Sequence, residues 1–327
     1  MDSRTTAHEG PQASLSKKNK IKNMRVAVID LGTNTFHLLI AETAEKELKI
    51  LYKTNVPVKL GEGRINDNII IATAFERGIN CLRDFSNTIA KYQGHKIRAT
   101  ATSAVRSAEN GNDFVDAVKE QTGITIETIS GDAEAALIYE GVKLSGAITD
   151  LSLIMDIGGG SVEFILCDAE KLIWKKSYNI GAARLMQQFF KSDPINDGDK
   201  NAILFHIQNQ LTDLFEICEK HQPKVLIGSA GAFETYAELV IRKNNLKTDI
   251  NNTKIFEFNF DDYVEIAGKL LNSTHKERSE MPGIIPLRVD MIVIAALITN
   301  YVLGRAKINQ LTLSTYDLKM GVLASLI

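Results

Sequence analysis

The chain has 327 residues, 44% hydrophobic and 24% charged, which is enough apolar material for two ordinary domain cores. A formal net charge of -2 excludes a bulk electrostatic attraction to nucleic acid or to an anionic membrane, so any polyanion must be met by a local site. The cysteines Cys81, Cys167 and Cys218 match neither a disulfide framework nor metal-ligand spacing, and the longest apolar run, 291–298, is too short to span a bilayer. These features read as a soluble cytoplasmic protein.

Residues 1–23, polar and carrying Lys17, Lys18, Lys20 and Lys22, read as a disordered basic tail. Strands follow at 25–30, 35–42 and 47–52. Thr73 and Glu76 form a capping box ahead of Phe75, Ile79, Leu82, Phe85 and Ile89 at helical spacing, and Gly94 closes that helix. A strand at 96–102, a helix at 112–121 ended by Gly123, a strand at 124–129 and a helix from Asp132 to about Gly141 complete a first domain, 24–145. The second domain, 146–327, repeats the string. Strands at 151–156, 162–167 and 172–178 precede one long helix with Leu204, Ile207, Leu211, Leu214 and Cys218 on its apolar face. A strand at 224–227 and a helix from Phe233 follow. A helical insertion at about 244–304 carries helices from Asp261 and over 289–303. Strand 310–313 and helix 318–325 close the chain.

One phrase occurs twice without a gap. Val28-Ile-Asp-Leu-Gly-Thr-Asn-Thr-Phe-His-Leu-Leu-Ile40 aligns on Ile154-Met-Asp-Ile-Gly-Gly-Gly-Ser-Val-Glu-Phe-Ile-Leu166. Each copy is an apolar run ending in Asp (Asp30, Asp156), then a Gly-containing turn (Gly32-Thr33-Asn34-Thr35; Gly158-Gly159-Gly160-Ser161), then a second apolar run. Such a strand-turn-strand lets backbone N–H groups approach a phosphate with no Cβ in the way. An Asp at its mouth can hold a divalent cation, with Asp156 the main ligand and Asp30 the weaker one. The plain alternative for both is a turn residue at a strand end. Glu163 stands where the other copy has His37, which reads as a packed strand histidine. Three antiparallel strands followed by alternating helix and strand is the ribonuclease-H-like order. A tandem pair makes an α/β protein built as actin, Hsp70 chaperones and sugar kinases are, with phosphates held in the interdomain cleft.

Four motifs in order carry a closer likeness. Asp30 to His37, Ala101-Thr-Ser-Ala-Val-Arg106 with Asn110, Ile129-Ser-Gly-Asp-Ala-Glu-Ala135 and Met155 to Glu163 together resemble the exopolyphosphatase and guanosine pentaphosphate phosphohydrolase family, of the short two-domain type. The resemblance implies magnesium-dependent release of terminal phosphate from inorganic polyphosphate, or of the 5′ γ-phosphate of guanosine pentaphosphate. It also implies a homodimer. By the same resemblance Glu134 occupies the catalytic position, although an acidic first-turn residue also suits a helix macrodipole. Asp156 and Glu163 then serve the metal and the attacking water. Arg106 becomes a phosphate clamp, its guanidinium fork matching phosphate oxygens, with surface ion pairing the alternative. The resemblance also implies that Arg288 lies along the channel of a long anion and that Gly181 in Asn179-Ile-Gly-Ala-Ala-Arg184 belongs to a turn near the phosphates, with a strand exit the alternative for Gly181.

Departures from the family pattern bear on binding. Gly228-Ser-Ala-Gly-Ala232, with Gly228 and Gly231 as candidate phosphate contacts and alanines at 230 and 232, replaces a Gly-Gly-Thr. Ala133 and Ala136 replace a glutamate and an arginine, and Asp317-Leu-Lys-Met-Gly321 replaces Gly-Leu-Arg-Glu-Gly. Lost arginines are expected to weaken the grip on a polyanion. The leading expectation is an exopolyphosphatase working by direct water attack. Pentaphosphate hydrolysis, a catalytically weakened alarmone- or nucleotide-binding protein and a sugar-kinase-like phosphotransferase are the alternatives.

Overall fold

In the computed structural model, which describes residues 24–44, 47–229 and 231–326, the apolar runs of each half gather into one sheet. The first contains β1 (Met24–Leu31), β2 (Phe36–Ala44), β3 (Glu47–Val56), β4 (Lys96–Ala101) and β5 (Ile126–Thr128), in the order β3-β2-β1-β4-β5. The second contains β6 (Ser152–Ile157), β7 (Val162–Cys167), β8 (Leu172–Tyr178), β9 (Val225–Ser229), β10 (Ile255–Glu257) and β11 (Gln310–Ser314), in the order β10-β11-β9-β6-β7-β8. Apart from the edge strand β10 the two orders are the same. In both, the first three strands are antiparallel and the later ones join parallel to the central strand. The chain is therefore a pair of tandem ribonuclease-H-like units. The expected tail at 1–23 and Ala230 lie outside the described residues.

The helices of the first half are α1 (Ala72–Lys91), α2 (Ser103–Ser107), α3 (Gly111–Thr122) and α4 (Gly131–Ser145). Those of the second are α5 (Ala182–Phe189), α6 (Asp197–Gln210), α7 (Thr212–His221), α8 (Gly231–Lys243), α9 (Phe260–Asn272), α10 (His275–Ser279), α11 (Met291–Ala306) and α12 (Leu318–Ala324). Among the described residues no helix is long and apolar enough to cross a membrane. The three cysteines are buried and unpaired.

Several boundaries differ from the expected ones for physical reasons. Helix α1 begins after an extended Ile71 with no side-chain cap, so Thr73 lies inside the helix and the capping box is absent; burial of Ile70 and Ala74 sets the entry instead. At its far end the left-handed residue is Gln93 (φ 53°) rather than Gly94. Gly94 is small because a Cβ would press on Ile89 Cγ2 at 2.7 Å. The long helix expected through Leu211 is two helices that turn at that residue (φ -100°, ψ 18°) while Ile207, Leu211, Leu214 and Cys218 stay buried on one face. The insertion is not wholly helical, since β10 extends the second sheet by pairing with β11. Helix α4 runs past Gly141 to Ser145 and ends at Gly146 (φ 85°).

Gly141 marks where the halves lock. A Cβ there would overlap the Asp317 carbonyl, and one at Gly321 would overlap the Leu137 carbonyl, so α4 and α12 cross backbone to backbone. Each sheet has a core of its own on its outer side. A third core, with Val26, Val28, Ile138, Val142, Ile154, Ile165 and Val322, joins both sheets through this helix pair. Its burial of apolar surface from both halves fixes how the lobes sit.

Candidate active site

The strand register carries the repeated phrase into three dimensions. Asp30 pairs with His37 on β2 and Thr100 on β4, while Asp156 pairs with Glu163 on β7 and Ser229 on β9. Both turns close by the same bond, Gly32 N–H to Thr35 C=O at 3.1 Å and Gly158 N–H to Ser161 C=O at 3.0 Å. A Cβ at either glycine would press on that acceptor, at 2.9 Å and 3.0 Å.

The turn carbonyls are committed to the protein behind them. Gly61 and Lys59 N–H groups bond Thr33 and Asn34 C=O at 3.0 and 2.8 Å. Ala182 N–H bonds Gly158 C=O at 2.9 Å, Ala183 N–H bonds Gly159 C=O at 2.9 Å, and Gly181 N–H bonds Gly160 C=O at 3.3 Å. A trans peptide points the next N–H the opposite way. The N–H groups of Asn34, Thr35, Gly159, Gly160 and Ser161 therefore turn away from these partners, and none donates to a protein acceptor among the described residues. Free N–H groups on a concave turn suit an anion. The two turns face each other closely, since Cβ positions at 159 and 160 would come within 2.9 Å of Thr33 Cβ and Thr33 Oγ1.

Around them opens a cleft of about 1600 Å³ lined by both lobes. Its floor gathers buried carboxyl groups. Glu134, on the first turn of α4 behind the N-cap Ser130, accepts from Arg106 Nη1 at 2.8 Å, and the same Nη1 reaches Ile129 C=O at 3.1 Å. Glu163 Oε1 accepts from Ser177 Oγ at 2.6 Å, and Asp156 Oδ2 from Ser229 Oγ at 2.9 Å. Asp30 Oδ1 is buried with no partner among the described residues. Asp317, the N-cap of α12, is 4% exposed and holds the Lys319 ammonium.

Crowding and burial raise Asp30, Glu134, Asp156 and Glu163. Burial pushes Asp156 up to about 8, with Asp317 adding to it, and pushes Asp30 up to about 7 against the opposing pull of Lys319. Glu134 is raised by burial and then by Glu163, with Arg106 opposing. Glu163 is raised by burial and Asp156, with Ser177 opposing. His37 is driven the other way, well below the usual imidazole range, by burial beside Lys319 and Arg288. It stands in the site as a neutral ring rather than a cation.

The oxygen-only donor set suits a hard cation such as magnesium. Among the described residues no three His, Cys, Asp or Glu side chains are grouped to enclose a metal. A magnesium ion that keeps waters and shares phosphate oxygens needs only one or two carboxylates. Asp156 and the unpartnered Asp30 Oδ1 fit that open mode.

The expected site residues divide into two groups. Asp30, Gly32, Thr33, Asn34, Thr35, Glu134, Asp156, Gly158, Gly159, Gly160, Ser161, Glu163, Gly231 and Arg288 all line the cleft. Arg288 bonds Thr235 Oγ1 at 2.9 Å and faces Glu234 at 3.4 Å. Gly181 and Gly228 lie behind the cleft. A Cβ at 181 would overlap the Gly159–Gly160 backbone and one at 228 would overlap the Phe233 ring, so both glycines serve packing rather than contact. Arg106 stands behind Glu134, on a smaller concavity with Ser130, Gly131, Asp132, Ser177 and Asn179. Ser177, Ser229, Asp317 and Lys319 are site residues that the motifs missed. Ser229 occupies on β9 the register that Thr100 occupies on β4. Lys319 was signalled by its place, a cation in a helix's first turn, where the macrodipole disfavours it. At 317–321 Lys319 supplies a cation to the cleft wall where the family pattern has an arginine, while Ala133 faces outward.

Two ribonuclease-H-like units with paired anion turns and a carboxylate-rich cleft define a phosphate-transfer or phosphate-hydrolysis protein. The match of residues 39–327 to the model of the Ppx/GppA phosphatase family narrows that class. The chain belongs to this family and is a hydrolase of phosphoric anhydrides. A crystal structure of an exopolyphosphatase from Cytophaga hutchinsonii is 36% identical, with a TM-score of 0.90 over 93% of this chain and 97% of that one. The Aquifex aeolicus PPX-GPPA enzyme shares the fold at 24% identity, with a TM-score of 0.77 over 93% and 100% of the two chains. A guanosine-5′-triphosphate,3′-diphosphate pyrophosphatase of Pseudoalteromonas translucida is 31% identical over 221 residues, 67% of this chain and 44% of that protein.

Proposed function

We propose that the protein is an exopolyphosphatase that removes the terminal phosphate of inorganic polyphosphate by direct attack of water, with magnesium as cofactor. The observation that carries this reading is the pair of facing turns whose outward N–H groups have no protein acceptor among the described residues, with Glu134 and Asp156 brought from opposite lobes to the same cleft. The near end-to-end likeness to an exopolyphosphatase, against coverage of less than half of the pyrophosphatase, favours polyphosphate.

In this reading the terminal phosphate lies between the turns, and their N–H groups hold its non-bridging oxygens as charge develops. Arg106 fixes one carboxylate oxygen of Glu134, so the other is oriented toward a water aimed at phosphorus. The water oxygen bonds to phosphorus as the P–O bond to the shortened chain breaks, and the water proton passes to Glu134. Glu163, anchored by Ser177, stands beside that water. Held at Asp156 with Asp30 beside it, magnesium would supply positive charge to the phosphate oxygens and to the crowded carboxyl groups.

Phosphate release measured side by side on polyphosphate and guanosine pentaphosphate tests the assignment. Faster release per enzyme from polyphosphate is expected. Preferential release from guanosine pentaphosphate would replace the reading with that activity, and tight binding with no release from either would make the protein a binding module.

A further inference from the structure

Lys319 is a cation of the cleft wall with no part in the mechanism above. Lys319 lies on the first turn of α12, and its side chain is 23% exposed while that of its partner Asp317 is 6% exposed. The pair is held at both ends. The Lys319 backbone N–H donates to Asp317 Oδ1 at 3.0 Å, and the Lys319 ammonium donates to Asp317 Oδ2. The crossing of α12 on α4 at Gly141 and Gly321 leaves no slack behind it. An ammonium has three donors. One meets Asp317, and no other protein acceptor takes the rest among the described residues. Lys319 lines the cleft together with Asp30, Asp156 and Glu134.

A cation meant only to neutralise Asp317 would do so as well on the outer surface, without the cost of burial and without standing at the positive end of a helix. Asp30 also attracts the ammonium, but no hydrogen bond joins the two, so the remaining donors are open to a ligand that brings negative charge to the cleft. We infer that Lys319 is a substrate contact whose ammonium, aimed by Asp317, binds a non-bridging oxygen of the phosphate chain at the acidic end of the cleft. The inference rests on the phosphate-chain reading above. Helix α12 thereby contributes to the site in the same way as α4: each presents a first-turn charged side chain, Lys319 from one lobe and Glu134 from the other. A charged hydrogen bond to phosphate, once lost, weakens binding by about tenfold or more.

The test is calorimetric binding of inorganic tripolyphosphate, with magnesium present, to the full chain carrying Glu134→Gln so that turnover is slow. In that background Lys319→Met is expected to weaken binding at least about tenfold, and Lys319→Arg to stay within about threefold of the parent. Because Lys319→Met leaves Asp317 unpaired, the double change Lys319→Met with Asp317→Asn is the deciding arm, and it should show the same loss with its melting transition intact. Parent-like affinity in the double variant would overturn the inference and reduce the pair to a structural ion bridge. Failure of the Glu134→Gln parent itself to bind tripolyphosphate would instead overturn the phosphate-chain reading, and Lys319's role with it.

Discussion

Asp156 and Asp30 show at the scale of single residues how the site trades stability for function. Unfolded, both titrate near 4; folded, they are held up to about 8 and about 7. Between those values the native state binds more protons than the unfolded one, so their contribution to stability is intact below about pH 4 and is lost as pH rises toward 8. Asp156→Asn should therefore raise the melting temperature of metal-free protein at pH 8, with the gain shrinking toward pH 5. A gain that grows toward acid would contradict the assignment. Added magnesium should raise the wild-type melting temperature more at pH 8 than at pH 6, because the ion binds the deprotonated carboxylate, and the effect should vanish in Asp156→Asn. On the same grounds Asp156→Ala should abolish magnesium-dependent phosphate release, which a magnesium titration of activity would read directly.

At the scale of elements, α4 and α12 deliver the site. Their backbones touch at Gly141 and Gly321, where any Cβ would overlap a carbonyl of the other helix. Gly321→Ala is expected to destabilise the protein by about 2 kcal/mol or more, at the upper range of overpacking, and to lower activity by shifting Lys319 and Asp317. Denaturant unfolding beside phosphate release checks both effects, and a neutral substitution would mean the crossing is looser than described. The sequence made much of this legible, because a gapless repeat ending twice in Asp and a glycine turn leaves few architectures open. The β7 residues 162–167 were assigned to the residue. The same phrase carries the expectation of three antiparallel strands followed by alternating helix and strand in each half, whereas the place of Glu134 rests on the family resemblance. Periodicity could not reveal that Gly141 is a crossing point, because a glycine near the end of an apolar pattern also reads as a helix stop. The bend at Leu211 was equally hidden, since the apolar face runs through it unchanged. Gly181 and Gly228 were misread for a related reason: glycine serves close packing and ligand approach alike, and only neighbouring atoms tell the two apart.

On the scale of the whole molecule, the lobes are tied on both sides of the cleft. Arg184, from the second lobe, donates to Ile65 C=O of the first at 3.0 Å and to Gly160 C=O at 3.2 Å, and Asn66 returns a bond to Arg184 C=O at 3.1 Å. Arg98 of the first sheet reaches Ser325 at 2.6 Å, and the shared core lies between. Such ties hold the two turns opposed before substrate arrives, which is how preorganised donors spare the reaction a reorganisation cost. In the proposed reading, a phosphate held between the two turns is thus presented to Glu134 of the first lobe. The most direct measurement of that claim compares turnover and binding in Glu134→Gln. The predicted result is phosphate release from polyphosphate lowered about 100-fold or more, the scale of a lost general base, with tripolyphosphate affinity within about threefold of wild type. Turnover equal to wild type would contradict it.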